Sequence, residues 1–528
     1  MKKWRSFSRA DLGKTILALV FICFVIIPLV RMFLYMDAES LNKVLSSPGF
    51  LPALRNSLTV GVISTVISLV LAYLLAMCVE RSGMRFGGFW STLLMLPMLI
   101  PSISHGMGLI VLLGNNGVLT RLLGLDQSIY GMWGIVIGSV MYSFPVAFLM
   151  IRDILKYEDR SPYEAARILG ISKWRQFTAI TLPYLRKPLI SVVFAVFTMV
   201  VTDYGVPLIV GGKYSTIPVV MYQEVIGQLN FGKGAVYGAV LLIPAVVAFV
   251  FDLLNKDKGN SAFVIKEETE RKSTLGKVLA YIFCSTVILC VLLPILSFIL
   301  LGFAESYPTS TQFVMKHVQK ALRLGATRYF FNSLTIAALV SVVGVCIAFF
   351  TAYFTARMRS AASRFLHLAA ITSAAIPGIV LGLSFVITFK GTALYGSLGI
   401  LVLVNTVHFI ASPYSMMYNS LNKLNENLEA VGQTLGISRW RMVKDVFIPQ
   451  SAPTLCEMFS YFFVNCMMTI SAVSFLANTA TKPIALMINQ FEAQAQMECA
   501  AVVSLMILAG NLVTKFIVFL VKKSMGAK

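Results

Sequence analysis

Hydrophobic runs of nearly constant length leave this chain few ways to fold. They fall near 14–35, 56–80, 90–113, 131–151, 189–212, 235–254, 278–303, 332–356, 366–389, 398–418, 455–478 and 498–521. Each is close to the roughly 20 residues that carry a helix across a bilayer. Inside lipid every backbone amide and carbonyl needs a partner, and a helix supplies them along its own length. With 57% hydrophobic and 13% charged residues in 528 and a mean hydropathy of +0.80, the expectation is an all-α polytopic membrane protein of about 12 transmembrane helices. Six runs precede and six follow a polar stretch at 255–273, NKDKGNSAFVIKEETERKS. The division expected is a first half at 1–254 with a polar loop at 152–188, a cytoplasmic linker at 255–277, and a second half at 278–528 with a polar loop at 419–455.

Lysine and arginine set the orientation. With both termini cytoplasmic, 31 of the 44 lie on the inner side, so the formal charge of +21 is mostly a topology signal. Nucleic acid is therefore not an expected partner, despite a pI of 9.7. The opening MKKWRSFSRADLGK is basic, as in a signal peptide. No small-residue cleavage site follows, and the apolar run continues through VIIPLVRMFLY, so an uncleaved first span is the better reading. All eight cysteines lie in apolar runs without a C-x-x-C pair. They read as packing residues; no disulfide framework, metal site or cofactor is indicated.

The two halves repeat each other. LGISKWRQFTAITLP at 169–183 and LGISRWRMVKDVFIP at 435–449 share seven identical positions of fifteen. Each half also has a lone first span and an Asn-Ser-Leu entry to the second, RNSLTVGVISTVISLVLAYLLA at 55–76 or FNSLTIAALVSVVGVCIAFFTA at 331–352. A short basic loop follows, RSGMRFGG or RMRSAASR, and then a proline-bearing span, LPMLIPS or AAIPGIVLG. Equal spans in equal order, six per half, predict parallel repeats about an axis along the membrane normal. Asn56 and Asn332 recur at equivalent places, where a helix-cap role suffices. The spans with Pro97 and Pro101, and with Pro377 and Gly378, are candidates for kinks that line a cavity, although proline is also tolerated as plain packing.

The duplicated polar segment predicts a helix, a tight turn and a second helix. In SPYE at 161–164, Ser161 can cap a helix, Pro162 suits its first position and Glu164 can close a capping box. Gly170 can end that helix in the left-handed conformation, and Ser172 can cap the next. The second copy has the same turn at Gly436 and Ser438, with Asn425 or Asn427 as candidate caps.

EAARILGISKWRQFTAITLP resembles the EAA motif of the membrane subunits of bacterial ATP-binding cassette importers. The glycine lies four residues after the second alanine, and the isoleucine-x-leucine-proline ends thirteen residues beyond that glycine at Pro183. With the six-plus-six layout, the resemblance covers nearly the whole chain and is to fused permeases of the iron, thiamine and phosphonate type. It implies the type I importer transmembrane fold, with coupling loops that dock on a cytoplasmic ABC ATPase dimer, and an extracytoplasmic substrate-binding protein. The residues carried over are Glu164, Ala165, Ala166, Gly170, Ser172, Trp174, Arg175 and Pro183, and in the second copy Glu429, Gly436, Ser438, Trp440, Arg441 and Pro449. That copy departs from the motif: aligned on Gly436 it has Ala430, Val431 and Gly432, with Glu429 one position early. Ala165 and Ala166 would let a helix face lie close to a partner, and Trp174 and Trp440 would serve as anchors. An amphipathic helix lying in the lipid headgroups is the plain alternative; the duplication and the motif weigh against it.

No G-x-x-x-x-G-K-[ST] phosphate loop occurs. No catalytic residue is expected, and ATP hydrolysis is assigned to a separate subunit. Asp203, in VTDYGVPLIVGG, is an acid within a hydrophobic run. With Tyr204, Ser471 and Ser474 it is a candidate for the translocation path, or it lies at the outer interface. Glu457 reads as interfacial, and His105 and His408 as packing histidines. Segments 202–222 and 471–508 most resemble the 2-aminoethylphosphonate branch, with ferric iron, thiamine and sugar-phosphate permeases as alternatives. Outer cations Lys213, Lys233, Lys316, Lys320, Arg323 and Arg328 suit an anionic cargo or an acidic binding protein, and equally a solvated face. A major facilitator-like transporter also has six plus six spans, but would not need a long duplicated inner loop. A membrane scaffold would recruit no ATPase.

Overall fold

The computed structural model describes residues 9–124, 129–156, 158–159, 161–255, 274–307 and 309–526. Among them, nine helices are long and apolar enough to cross a membrane: Asp11–Leu34, Phe50–Arg81, Ser102–Leu123, Met132–Lys156, Lys173–Val201, Phe231–Asn255, Thr274–Phe303, Ala326–Arg357 and Met497–Ser524. Two more expected spans are bent pairs, Ala361–Ala375 with Gly378–Phe389 at 112° and Leu398–Phe409 with Ala411–Asn422 at 55°. The run at 455–478 is shorter than expected, a 17-residue helix, Ala452–Met468, that ends where Thr469 turns extended. Most of the expected linker, 256–273, lies outside the described residues. A small hairpin, Ala304–Ser306 with Ser310–Phe313, is the one sheet among the described residues.

Proline breaks the third span of each half at the same place. Pro101 and Pro377 directly precede the helices Ser102–Leu113 and Gly378–Phe389. The residues before them, Ile100 and Ile376, are extended, as steric clash with a following proline ring dictates. The expected kinks are therefore full breaks. The fifth spans break too: after Val201 the chain turns and restarts as Gly205–Val210, so 189–212 is not one helix.

By contact the chain forms two compact units that cut across the order of the halves. One comprises Ser47–Val220 and Ile243–His317; the other comprises the chain up to Ser46, Met221–Leu242 and the chain from Val318. The opening span of each half thus packs with the other half's helices. In the first unit Thr274–Phe303 lies against Ser102–Leu113, where a Cβ on Gly108 would come within 2.7 Å of Pro294. In the second, Lys14 of the first span donates to Met358 O at 3.0 Å and Ser360 Oγ at 3.1 Å. Small residues let the long helices close up: Ala72, Ala76, Ser64 and Ser68 are buried on Phe50–Arg81, and Ser68 and Ser143 share a hydrogen bond of 2.9 Å.

The Asn-Ser entries do not act as caps. Asn56 and Asn332 lie inside the helices Phe50–Arg81 and Ala326–Arg357. Asn56 donates to Ser215 O at 2.9 Å, and Asn332 to Ala480 O at 2.9 Å and Lys482 O at 3.3 Å. Each pins a loop that follows its fifth span.

Candidate functional site

The duplicated segment folds as two near-identical knuckles. The first is Ser161–Ile168, a turn, and Lys173–Gln176; the second is Leu428–Thr434, a turn, and Arg439–Met442. Gly170 and Gly436 have φ of 68° and 66°. Around them the amide of Ile171 bonds Ala166 O at 2.9 Å and that of Gly170 bonds Arg167 O at 3.0 Å, repeated as Ile437 to Gly432 O at 2.8 Å and Gly436 to Gln433 O at 3.1 Å. This pairing satisfies the last carbonyls of a helix and requires a left-handed residue at its centre. Ser172 and Ser438 then cap the second helices, accepting from the amides of Arg175 at 3.5 Å and Arg441 at 3.3 Å.

The entry differs from the expected capping box. Ser161 lies within its helix, and its amide and hydroxyl both donate to Asp159 Oδ1, at 3.0 and 2.8 Å. Asn425 takes the same part in the second copy, its Oδ1 accepting the amide of Asn427 at 2.9 Å. A short polar side chain that accepts the amide two residues on is a self-contained turn. At the exit both knuckles contain one π-helical turn, Phe177–Thr181 and Val443–Phe447, just before Pro183 and Pro449. Proline removes the amide donor that a regular helix needs there, and a widened turn absorbs the mismatch.

An arginine holds each knuckle. Arg81 and Arg357 are the last residues of two 32-residue helices, Phe50–Arg81 and Ala326–Arg357. Arg81 pairs with Glu158 and lies 4.6 Å from the centre of the Tyr163 ring. Tyr163 donates to Glu158 Oε1 at 2.5 Å and shares a hydrogen bond of 2.7 Å with Thr181 Oγ1. Burial, and then the neighbouring Glu158, raise the Tyr163 phenol above its ordinary range. Arg357 meets Glu429 with two hydrogen bonds, Nε to Oε1 at 2.6 Å and Nη2 to Oε2 at 2.5 Å. It also donates to the carbonyls of Leu421 at 3.4 Å, Leu424 at 3.0 Å and Asn425 at 2.7 Å, and stands 5.4 Å from the Phe447 ring. Arg357 is 4% exposed and Glu429 23%, and a buried charge stripped of its partner costs about 3–5 kcal/mol.

The residues read from sequence divide by exposure. Glu164, Ala165, Gly170, Ser172, Arg175 and Pro183 are exposed, as are Gly436, Ser438, Arg441 and Pro449. Trp174 is 71% exposed, stacked on Phe177, and Trp440 is 65% exposed, stacked on Phe350. Ala166 is buried, so of the two alanines only Ala165 faces outward. Glu429 is committed to Arg357 and does not stand in for the exposed Glu164. Sequence reasoning missed Arg81, Arg357, Glu158, Asp159 and Tyr163. The available signal was an arginine ending the second span in both halves.

The candidates for the path sit at the breaks. In the first unit Asp203 Oδ1 accepts from Ser102 Oγ at 2.6 Å and the Gly205 amide at 3.3 Å, and Oδ2 from the Val206 amide at 3.0 Å. Tyr204 is fully buried. In the second unit Ser471 lies beside Gly378, where a Cβ would come within 3.0 Å of the His408 ring, and Ser474 donates to Ile470 O at 2.5 Å. His105 is buried, its Nδ1 3.3 Å from Pro101 O. Glu457 pairs with Lys522 at 2.5 Å. Among the described residues no group of three or more His, Cys, Asp or Glu could hold a metal ion.

Residues 65–256 and 344–527 both match the family described as binding-protein-dependent transport system inner membrane component. A putative ferric transport system permease of Haemophilus influenzae is 24% identical over 468 residues, covering 84% of this chain and 73% of that protein. A ferric transport system permease of Actinobacillus pleuropneumoniae is 24% identical over 500 residues, covering 89% and 72%. A thiamine transport system permease of Escherichia coli is 20% identical over 461 residues, covering 84% of each. Matched once in each half and aligned along most of its length, the chain belongs to the family of binding-protein-dependent transport system inner membrane components, as a fused two-half permease of an ABC importer.

Proposed function

We propose that the chain passes a small solute, delivered by an extracytoplasmic binding protein, across the cell membrane when an ABC ATPase dimer acts on the two knuckles. The observation that carries this reading is the duplicated knuckle itself, with the same left-handed glycine, serine cap, exposed tryptophan and π turn in each copy. Both termini and both knuckles are placed in the cytoplasm, supported by the 31 of 44 basic residues that this orientation puts inside. Glu164, Ala165, Trp174 and Arg175 form the docking face of the first copy, with Gly170, Ser172 and Pro183 shaping it. Trp440 and Arg441 form that of the second, shaped by Gly436, Ser438 and Pro449. Asp203, Tyr204, Ser471 and Ser474 lie along the path.

The cargo is assigned to the ferric and thiamine group, which the relatives aligned along most of the chain support by name. The runner-up is 2-aminoethylphosphonate, carried by the segments 202–222 and 471–508 alone. The test is purification of the full chain with its co-purifying ATPase, followed by uptake into proteoliposomes with the cognate binding protein loaded with ferric ion, thiamine or 2-aminoethylphosphonate. ATP-dependent uptake of one of the first two is expected. Uptake of the phosphonate alone overturns the cargo assignment, and failure to recruit any ATPase overturns the function.

A further inference from the structure

We infer that Arg81 and Arg357 are positioning residues that fasten each knuckle to the second span of its own unit, so that a push on the knuckle reaches the membrane through that helix. The inference rests on the proposed docking of an ATPase at the knuckles. It starts from a substitution pattern inside the chain. Position 163 of the first copy corresponds to 429 of the second, and position 181 to 447: Tyr163 and Thr181 stand where Glu429 and Phe447 do. Even so, each arginine finds one carboxylate and one aromatic ring. In the first copy these are Glu158 and Tyr163; in the second they are Glu429 and Phe447. The side chains have changed places while the demand at the guanidinium has stayed.

The geometry suits a mechanical link. Each arginine ends a 32-residue helix, and its carboxylate partner lies at the start of the knuckle. Arg357 further grips the carbonyls of Leu421, Leu424 and Asn425, where the fourth span gives way to the knuckle. A planar guanidinium with several fixed donors resists rotation in a way that a single point charge does not. Exposed ion pairs hold little, but Arg357 and Glu158 are almost wholly enclosed. Fastening also makes the copies unequal. Glu429 is spent inside the protein, so the first knuckle offers a carboxylate, Glu164, at a position where the second has Ala430.

The test is hydrogen exchange on the full chain in nanodiscs with its co-purified ATPase, without nucleotide and trapped with ATP and vanadate. In the wild type, trapping changes exchange both in the knuckle 428–442 and in the helix end 350–357, by about tenfold. In Arg357→Ala and Glu429→Gln the knuckle still responds but the helix end does not, while 74–81 responds as in the wild type; Arg357→Lys keeps part of the response. Arg81→Ala and Glu158→Gln reverse the pattern, silencing 74–81 alone. A purely structural role would change exchange equally with and without nucleotide. Helix ends that respond as in the wild type in both the Glu429→Gln and Glu158→Gln chains, which keep side-chain volume and fold, overturn the inference. A wild-type helix end that ignores trapping overturns it while leaving the proposed function standing; a chain that recruits no ATPase overturns both.

Discussion

The hydroxyl of Ser57 accepts the backbone amide of Ile217 at 2.8 Å, and in the second half Ser333 accepts that of Ile484 at the same 2.8 Å. With Asn56 and Asn332 on the neighbouring carbonyls, the Asn-Ser dipeptide works as a two-pronged latch on a loop beyond the fifth span. Removing the hydroxyl leaves a buried amide without a partner, at a cost of about 1–3 kcal/mol. Ser57→Ala and Ser333→Ala should each lower the melting temperature in mixed micelles, and Ser→Thr should restore most of it. Unchanged melting in the alanine variants would remove the latch from the account.

Gly170 sits at φ of 68°, where a residue with a Cβ pays about 1–2 kcal/mol. Changing Glu164 and Gly170 together to alanine should leave the membrane bundle folded while distorting the first docking face. ATP turnover by the assembled complex should persist and uptake per ATP should drop. Normal uptake in that variant would argue strongly against coupling through this knuckle.

Asp203 holds three hydrogen-bond donors at the break after Val201. A capping role and a cargo-binding role make opposite demands on substitution. Asparagine can accept from some of these donors, whereas alanine abandons them all, at about 1–3 kcal/mol for each buried group left unpaired. Asp203→Asn should retain uptake and most stability, and Asp203→Ala should lose both. Abolished uptake in a stable Asp203→Asn protein would identify the charge itself as the working group.

Glu492, on the helix Ala485–Ala493 outside the spans, has its carboxyl raised above the ordinary range by burial. The folded state therefore binds a proton more readily than the unfolded chain does, and stability falls as pH climbs from the ordinary carboxyl range through the raised value. Glu492→Gln should stabilise the protein at neutral pH, with the gain vanishing under acid conditions. Melting temperatures recorded against pH check this; a gain independent of pH would point elsewhere.

Much of the architecture was legible because lipid makes helices nearly compulsory and the repeat doubles every signal. The glycine turns and the caps at Ser172 and Ser438 followed from local chemistry alone. The breaks at Pro101 and Pro377 were half legible: proline announces a disturbance, but whether a helix bends or stops depends on what packs beside it. Asp159, two residues upstream, took the Ser161 amide that a capping box would have given to Glu164, and took the Ser161 hydroxyl as well. The arginine links stayed hidden for a different reason. Arg357 and Glu429 are far apart in the chain, and no local rule joins the end of one helix to a loop two spans later. Ala166 was misread outward because nothing local in the sequence distinguishes it from the exposed Ala165.

The exchange of opening spans bears on how such a chain is made. A ribosome that has finished the first 254 residues has delivered a helix, Asp11–Leu34, whose neighbours Ala361–Thr372 and Gly378–Phe389 are not yet synthesised. That helix must wait in the bilayer, and the first unit in turn stays open until Thr274–Phe303 arrives. Severing the gene between the halves would give two products, neither able to complete itself, so the pieces should be recovered intact only when produced in the same cell.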